Sequence, residues 1–353
     1  MPINELKLAK ELIRKPSITP KDAGAINVLA KNLRQLGFKC KIINFKNIKN
    51  LYAKLGNSSP NFCYAGHTDV VPPGDISSWS VNPFKPTVKN NRLIGRGAND
   101  MKASIACFVA AVSKFKVKNK KFKGSISLLI TGDEEGLAIN GTKKVVEYLR
   151  RKKEKINFCV VGEPTNPNKL GDMIKIGRRG SITGRLTVIG NQGHVAYPKS
   201  ANNPADAMIK ILNKIKKIKL DNGTKNFQSS NLEITKINID NHADNVIPGS
   251  AHAVFNIRFN NKHSSNSLKR KLNTIFKLIS KKAKCKFNIN YQVSGEAFLT
   301  KPNKTTYMIQ DTIKKITKIK PRLSTTGGTS DARFIKKIAP CLEFGLLEKQ
   351  CTK

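Results

Sequence analysis

The sequence lacks the features of an exported or membrane-spanning protein. It has no apolar run long enough to cross a bilayer, and its opening segment, MPINELKLAKELIRK, carries neither the apolar core nor the cleavage site of a secretory signal. Its seven cysteines are scattered singly, are odd in number and include no C-x-x-C pair. This distribution argues against a disulfide framework and predicts a reducing cytoplasm, where cysteines serve as small core residues.

Acidic residues are scarce: 23 Asp and Glu stand against 65 Lys and Arg, for a formal net charge of +42. Such a charge can indicate a nucleic-acid partner. The lysines, however, run through every segment beside Asn and Ile, and no single motif gathers them with interleaved aromatic residues. The pattern favours solvated helix faces and the codon bias of an A/T-rich genome over nucleic-acid binding, although a positive field can still steer a polyanionic substrate.

The first half of the chain alternates strand and helix patterns. CKIINF, LYAKL, FCYAGH, GSISLLIT and FCVV are typical of strands, and apolar residues recur at helical spacing in 22–36 and 101–115. Strands separated by helices indicate an α/β layer with a largely parallel sheet. A chain of 353 residues also exceeds what one core usually holds, so we expect two domains.

After Gly177 the order changes to β-α-β-β-α-β, the arrangement of a small ferredoxin-like domain. From Ser294 the alternating helix and strand pattern of the first half returns, with a helix pattern at YMIQDTIKKITKI and a strand at CLEFGLL. The sequence therefore predicts an α/β protein in which residues 1–178 and 293–353 form one discontinuous domain. Residues 179–292 would form an inserted α+β domain.

Imidazole and carboxylate groups follow the ends of the predicted strands. They are His67 and Asp69, Asp100 in GRGAND, Glu134 with Glu135 in TGDEEG, and Glu163 in VGEPT. Taken singly, a His-x-Asp or Glu-Glu pair is usually an ordinary surface or core pair. Ligands of open α/β sheets bind at the carboxyl ends of strands, however, and like charges gathered there need a cation. One imidazole with several carboxylates suits divalent zinc, and a carboxylate can bridge two ions.

The segments AGHTDVVPPGD, GRGANDMKAS, TGDEEG and VGEPT resemble the signatures of the zinc-dependent aminoacylase, carboxypeptidase and deacylase family. IGRRGSITG, GNQGHVAYP, DNVIPG, SGEAFLT and STTGGTSDARF narrow this resemblance to its succinyl-diaminopimelate desuccinylase branch. The resemblance covers essentially the whole chain. It implies a cytoplasmic, homodimeric hydrolase of lysine biosynthesis that converts N-succinyl-LL-2,6-diaminopimelate to succinate and LL-2,6-diaminopimelate. Its inserted domain would mediate dimerisation.

The same resemblance implies two zinc ions per subunit, with cobalt as a possible substitute. His67 and Glu163 would bind the first ion, Asp100 would bridge both, and Glu135 would bind the second. Asp69 would fix the imidazole tautomer of His67, because a ligating histidine usually presents its other nitrogen to an orienting group.

The remaining implied roles concern proton transfer and substrate binding. Glu134 would be the general base, and His194 would reach the partner subunit's active site to steady the oxyanion. The other implied substrate contacts are Arg178, Ser181, Tyr197, Asn245, Arg258, Thr326, Gly327 and Gly328. Arginine forks pair well with a substrate that bears several carboxylates. His242, His252 and His263 match no catalytic motif.

Two alternatives remain open. An acetylornithine deacetylase shares the metal-binding motifs, although GRRGS and TTGGTSDARF favour the desuccinylase branch. A basic nucleic-acid-binding protein with an enzyme-like fold is the alternative from a different class.

The C-terminal segment departs from the family pattern. In the family, the strand ending LEFG is followed by a loop with a histidine that completes the second zinc site, whereas LEFGLLEKQCTK has none. Moving the inferred codons by one base yields Gly-Lys-Thr-Met-His-Lys, which resembles that loop. We therefore expect a frameshifted or truncated terminus, a weak second zinc site and impaired activity; the alternative is a genuine divergent terminus.

Overall fold

The computed structural model describes residues 2–348. Residues 349–353 lie outside this range. They belong to the divergent C-terminal segment in which we expect a zinc ligand to be missing. Internal contacts divide the chain into two units. The first comprises Met1–Ile176, Thr300–Ser324 and Ser330–Lys353, and the second comprises Gly177–Leu299 and Thr325–Thr329. Among the described residues, no helix has the length and apolar character needed to cross a membrane.

Eight α-helices lie within the described residues. They are α1 Glu5–Ile13, α2 Ala25–Gln35, α3 Ala103–Lys118, α4 Thr142–Arg151, α5 Pro204–Lys216, α6 Ser265–Lys282, α7 Lys304–Thr317 and α8 Ala332–Ile335. The strands of the same part of the chain are β1 Lys39–Phe45, β2 Ile48–Leu55, β3 Asn61–His67, β4 Thr87–Lys89, β5 Arg92–Ile94, β6 Ser125–Thr131, β7 Phe158–Val161, β8 Met173–Lys175, β9 Gly177–Arg178, β10 Gly180–Ile189, β11 Gly193–His194, β12 Asn231–Asn238, β13 Val246–Ile247, β14 Ser250–Phe259, β15 Lys286–Gly295, β16 Phe298–Leu299, β17 Arg322–Ser324 and β18 Cys341–Glu343.

The first unit is built on an eight-stranded sheet of order β1-β2-β6-β3-β7-β18-β8-β17. Strands β6, β3, β7 and β18 run parallel to one another, and β8 runs parallel to β17. Strand β2 of the antiparallel β1-β2 hairpin pairs with β6 in antiparallel orientation. Strand β18 is also antiparallel to β8. The largely parallel sheet expected from the sequence therefore forms its centre, with an antiparallel hairpin at one edge.

Helices α1, α2 and α3 enclose the main core of the first unit. Leu8 and Leu12 of α1 are spaced one turn apart, and both are almost fully buried with Leu29, Leu33 and other residues of the same cluster. Such i, i+4 spacing places apolar side chains on one face of a helix, which explains why the charged opening segment still folds against the sheet.

The second unit has the predicted β-α-β-β-α-β order. Its antiparallel sheet runs β12-β14-β10-β15, and α5 and α6 pack on it over a separate apolar cluster. The unit is wider than the predicted span of residues 179–292. Strand β15 remains paired with β10 as far as Gly295, and β16 pairs with β9, so the unit extends from Gly177 to Leu299.

Candidate metal centre

Three adjacent parallel strands present the candidate ligands at one edge of the first unit's sheet. His67 is the last residue of β3, the Glu134–Glu135 pair follows β6, and Glu163 follows β7. Asp100 lies in the segment Ala98–Lys102, which leads into α3, and its own backbone angles are not helical (φ −122°, ψ 95°). Because parallel strands end at the same edge, their loops meet there, as the sequence predicts.

The imidazole of His67 is the point on which these acids converge. His67 is 1% exposed, and its Nε2 lies 3.2 Å from Asp100 Oδ1 and 3.7 Å from Glu163 Oε1. His67 belongs to two groups of possible metal ligands. Within each group, the ligand atoms lie within 4.8 Å of one another. One joins His67 to Asp100 and Glu135, and the other joins it to Glu134 and Glu163.

Asp69 contacts His67 in a different way from the one expected. The atom within hydrogen-bond distance of His67 Nδ1 is the main-chain oxygen of Asp69, at 2.9 Å, whereas its carboxylate Oδ1 is 3.6 Å away. The carboxylate instead accepts hydrogen bonds from the backbone N–H of Glu134, at 3.2 Å, and of Glu135, at 3.0 Å. The backbone of Asp69 therefore orients the imidazole, and its side chain contacts the loop after β6.

The charge around His67 is strongly negative. Burial lowers the pKa of His67, but the hydrogen bond to Asp100 and the charges of Glu163 and Asp69 outweigh burial and raise this pKa well above its ordinary value. An imidazole so perturbed is held by carboxylates that favour a positive charge at this position. A bound cation would likewise balance the negative charge of these carboxylates.

Three further acids lie in this buried environment. Burial, followed by the charges of Glu163 and Asp331, raises the pKa of Glu134 well above its ordinary range. Asp331 is 5% exposed, its Oδ1 lies 3.8 Å from Arg333 Nη2, and burial raises its pKa to about 6. Burial also raises the pKa of Glu135. Several buried carboxylates with one imidazole match the donor set that divalent metals such as zinc prefer, so the residues fit a metal centre.

The predicted carboxylate-binding arginines of the second unit lie on strands β9 and β14. Arg178 donates from Nη1 to the main-chain oxygen of Thr326 at 3.0 Å, and Ser181 lies opposite Arg258 in the β10-β14 pair. Burial lowers the pKa of Arg258; burial and then the charge of Arg258 lower that of Arg179. Arg179 was not predicted, although the doubled arginine of GRRGS is the signal that could have found it.

Other predicted contacts of the second unit lie on exposed segments. His194 and Tyr197 are exposed, with ring centroids 5.8 Å apart, and Asn245 is exposed on the segment that leads into β13. Gly327 has a φ of +99°, which favours glycine, whereas a Cβ at Gly328 would meet nothing within 4 Å. The backbone thus requires a glycine at only the first of these two positions.

Comparison with known proteins gives the family. The sequence profile of peptidase family M20/M25/M40 matches residues 63–352, which is most of the chain. The chain belongs to this family. As an M20 member it is a metal-dependent hydrolase of linear amide bonds, and its discontinuous α/β unit with an inserted α+β unit is the fold of that family.

Relatives of this M20 chain are similar along their length. It is 71% identical over 355 residues to the succinyl-diaminopimelate desuccinylase of Pelagibacter ubique (strain HTCC1062), covering 99% of this chain and 92% of that protein. It is 51% identical to the protein of the same name from Parvibaculum lavamentivorans, covering 98% of this chain and 88% of that one.

Solved structures of M20 proteins share the fold at low sequence identity. An M20 family metallo-carboxypeptidase from Sulfolobus solfataricus has a TM-score of 0.76 at 19% identity, covering 97% of this chain and 91% of that one. A dinuclear metal-binding M20 peptidase from Bacillus subtilis has a TM-score of 0.71 at 13% identity, covering 97% and 88%.

Proposed function

We propose that this chain is a succinyl-diaminopimelate desuccinylase, which hydrolyses N-succinyl-LL-2,6-diaminopimelate to succinate and LL-2,6-diaminopimelate. The observation that carries the proposal is the 71% identity to a relative of that name, over 99% of this chain and 92% of the relative. The product is an intermediate of lysine and cell-wall precursor synthesis. We place the enzyme in the cytoplasm, in agreement with the six free cysteines of the described residues.

Two divalent ions, zinc or alternatively cobalt, are part of the proposal. His67, Asp100 and Glu163 would hold one ion, and Asp100 with Glu135 would hold the other more weakly, because two carboxylates are fewer ligands than zinc prefers. The short distances from His67 Nε2 to Asp100 and Glu163 support the first set. Bound there, a divalent metal supplies Lewis acidity, which lowers the pKa of a water molecule and polarises the amide carbonyl.

Glu134 is the proposed general base of the hydrolysis. Its carboxylate would accept a proton from the attacking water and deliver it to the amide nitrogen as the C–N bond breaks and a C–O bond forms. Glu134 would then return to its ionised form when the amine leaves.

The substrate carries three carboxylates, and the second unit offers cations to receive them. We assign Arg178 and Arg258 to this role, together with Arg179, since guanidinium forks pair with carboxylates. The remaining proposed contacts are Ser181, Tyr197, Asn245, Thr326, Gly327 and Gly328. In a homodimer, His194 would serve the active site of the other subunit by steadying the oxyanion.

The direct test is hydrolysis by the zinc-loaded protein, with succinate release measured on N-succinyl-LL-2,6-diaminopimelate and acetate release on N-acetylornithine. We expect turnover of the first substrate, much slower turnover of the second, and loss of activity on chelation that zinc restores. Faster release of acetate would instead make the chain an acetylornithine deacetylase. Salt-dependent duplex binding without hydrolysis would favour the nucleic-acid alternative.

A further inference from the structure

The loop between β6 and α4 carries the two central acids outside any helix or strand. Glu134 and Glu135 lie near its start, and their N–H groups donate to the two carboxylate oxygens of Asp69, one to each. Asp69 is 1% exposed and comes two residues after β3 ends, on the neighbouring strand's loop. A buried carboxylate that accepts two backbone N–H groups forms stronger hydrogen bonds than a neutral acceptor would.

A second aspartate holds the other half of the same loop. Asp133 is buried, and its Oδ2 accepts the N–H groups of Ile139 and Asn140, both at 2.9 Å. The two carboxylates therefore bind different parts of the loop. Asp133, which is itself in the loop, accepts from Ile139 and Asn140, whereas Asp69, which follows β3, accepts from Glu134 and Glu135. A chain segment without regular structure depends on such bonds for its conformation.

We propose that Asp69 is a positioning residue whose carboxylate sets the place of Glu134 and Glu135, while its main-chain oxygen sets the ring of His67. One residue would then fix the general base, one ligand carboxylate and the imidazole ligand relative to one another. The inference builds on the proposed function by assigning the Asp69 carboxylate to the acid-bearing turn in addition to its place beside the histidine.

The two assignments predict different results for Asp69→Asn. The asparagine keeps the shape and the main-chain oxygen, so the contact to His67 Nδ1 is preserved. Its amide nitrogen replaces an acceptor, however, and faces a backbone N–H, so one of the two bonds to the turn is lost. If the side chain served the histidine alone, the turn would be unaffected.

Residue-specific amide hydrogen exchange by NMR on the metal-free and zinc-loaded protein tests this directly. In the wild type we expect protection at Glu134 and Glu135. Asp69→Asn should accelerate exchange at one or both by at least about tenfold, with Ile139 and Asn140 unchanged. The matched control Asp133→Ala, which removes the oxygen Oδ2 that both N–H groups share, should accelerate Ile139 and Asn140 and leave the first pair protected.

Unchanged amide exchange at Glu134 and Glu135 in Asp69→Asn would overturn the proposal. Rapid exchange of both amides in the folded wild type would also overturn it, and that measurement needs no variant. A general acceleration along the whole loop would overturn it as well, since it would indicate loosening without a specific anchor. The readout uses no substrate, so an inactive or differently specific enzyme would refute the proposed function without deciding the role of Asp69.

Discussion

Adjacent residues of this chain differ in their surroundings more than the sequence reveals. The carboxylates of Glu134 and Glu135 point into different groups around His67, one with Glu163 and one with Asp100. Burial raises the pKa of both, but the next strongest influences differ: the charge of Glu163 raises the pKa of Glu134, whereas the charge of His67 lowers that of Glu135. The two side chains therefore have separate environments in which separate roles can be assigned.

We predict that Glu134→Gln keeps its metal and loses turnover by about a hundredfold or more, because only proton transfer is removed. Glu135→Gln should bind less metal than the wild type, because an amide is a weaker ligand than a carboxylate. Metal content by elemental analysis and succinate release on both variants give the answer. Equal loss of metal in the two variants would contradict this division.

The histidine pattern shows a limit of sequence interpretation. His263 matches no catalytic motif, and it lies 3.1 Å from Asp221, which also accepts from Gly223, Ser230 and Asn260. Burial alone would raise the pKa of Asp221, but these hydrogen bonds outweigh it and lower the pKa to about 2. The group is a local structural network of the second unit.

Asp221→Asn should lower the free energy of unfolding by about 2 kcal/mol at pH 7. The native pKa of Asp221 lies below its unfolded value, so this stabilisation is complete above the unfolded pKa and is lost as pH falls toward the native one. About half of the difference between wild type and variant should remain at pH 3. Urea titrations of the metal-free proteins followed by circular dichroism would measure it; a difference independent of pH would argue against the shift.

At the scale of elements, strand β10 is fitted to its neighbour by two glycines. Gly180 lies opposite Phe259 and Gly184 opposite Phe255, and each phenyl ring occupies the space that a Cβ on the glycine would fill. Both phenylalanines are fully buried in the core cluster of the second unit. Small residues on one strand thus accommodate large ones on the next, and a sheet of this kind tolerates little added volume.

Gly184→Ala is expected to destabilise the protein by about 1–3 kcal/mol, because the Phe255 ring must move. The matched control is Gly249→Ala, whose Cβ would lie 3.3 Å from the flexible Gln192 side chain. Thermal unfolding should show a lower midpoint for the first variant and little change for the second. Equal midpoints would indicate that the ring adjusts without cost.

The elements themselves were largely predictable, because their periodicity is strong. FCYAGH and AHAVFNIRF form β3 and β14, and the helix patterns at 22–36 and 101–115 form α2 and α3. Helix α4 was missed although Val145, Val146 and Leu149 provide a buried face, since its many charges obscure that pattern. The convergence of acids was predictable from strand ends, whereas the partners of Asp69 depend on loop conformation, which no spacing encodes.

For the whole molecule, the proposed dimer makes a prediction about shared active sites. If His194 acts in the other subunit, a His194→Ala chain and a Glu134→Ala chain are each inactive alone but together form one intact site per mixed dimer. Mixing the two after subunit exchange, confirmed by mass spectrometry, should restore activity to a fraction of the wild type. Failure of every mixture to exceed both parents would refute the shared site.

The net charge of +42 also has a consequence at this scale. The proposed substrate bears three carboxylates and one ammonium, so a positive field should accelerate its association, and salt screens such fields beyond about 10 Å at 0.1 M. We expect kcat/KM to fall about three- to tenfold between 10 mM and 0.3 M NaCl, with kcat nearly constant, because only the encounter is affected. Steady-state kinetics at constant pH and zinc would measure both. A parallel fall in kcat would point to a salt effect on the folded site, and a constant kcat/KM would leave the lysines as solvated surface without a role in substrate capture.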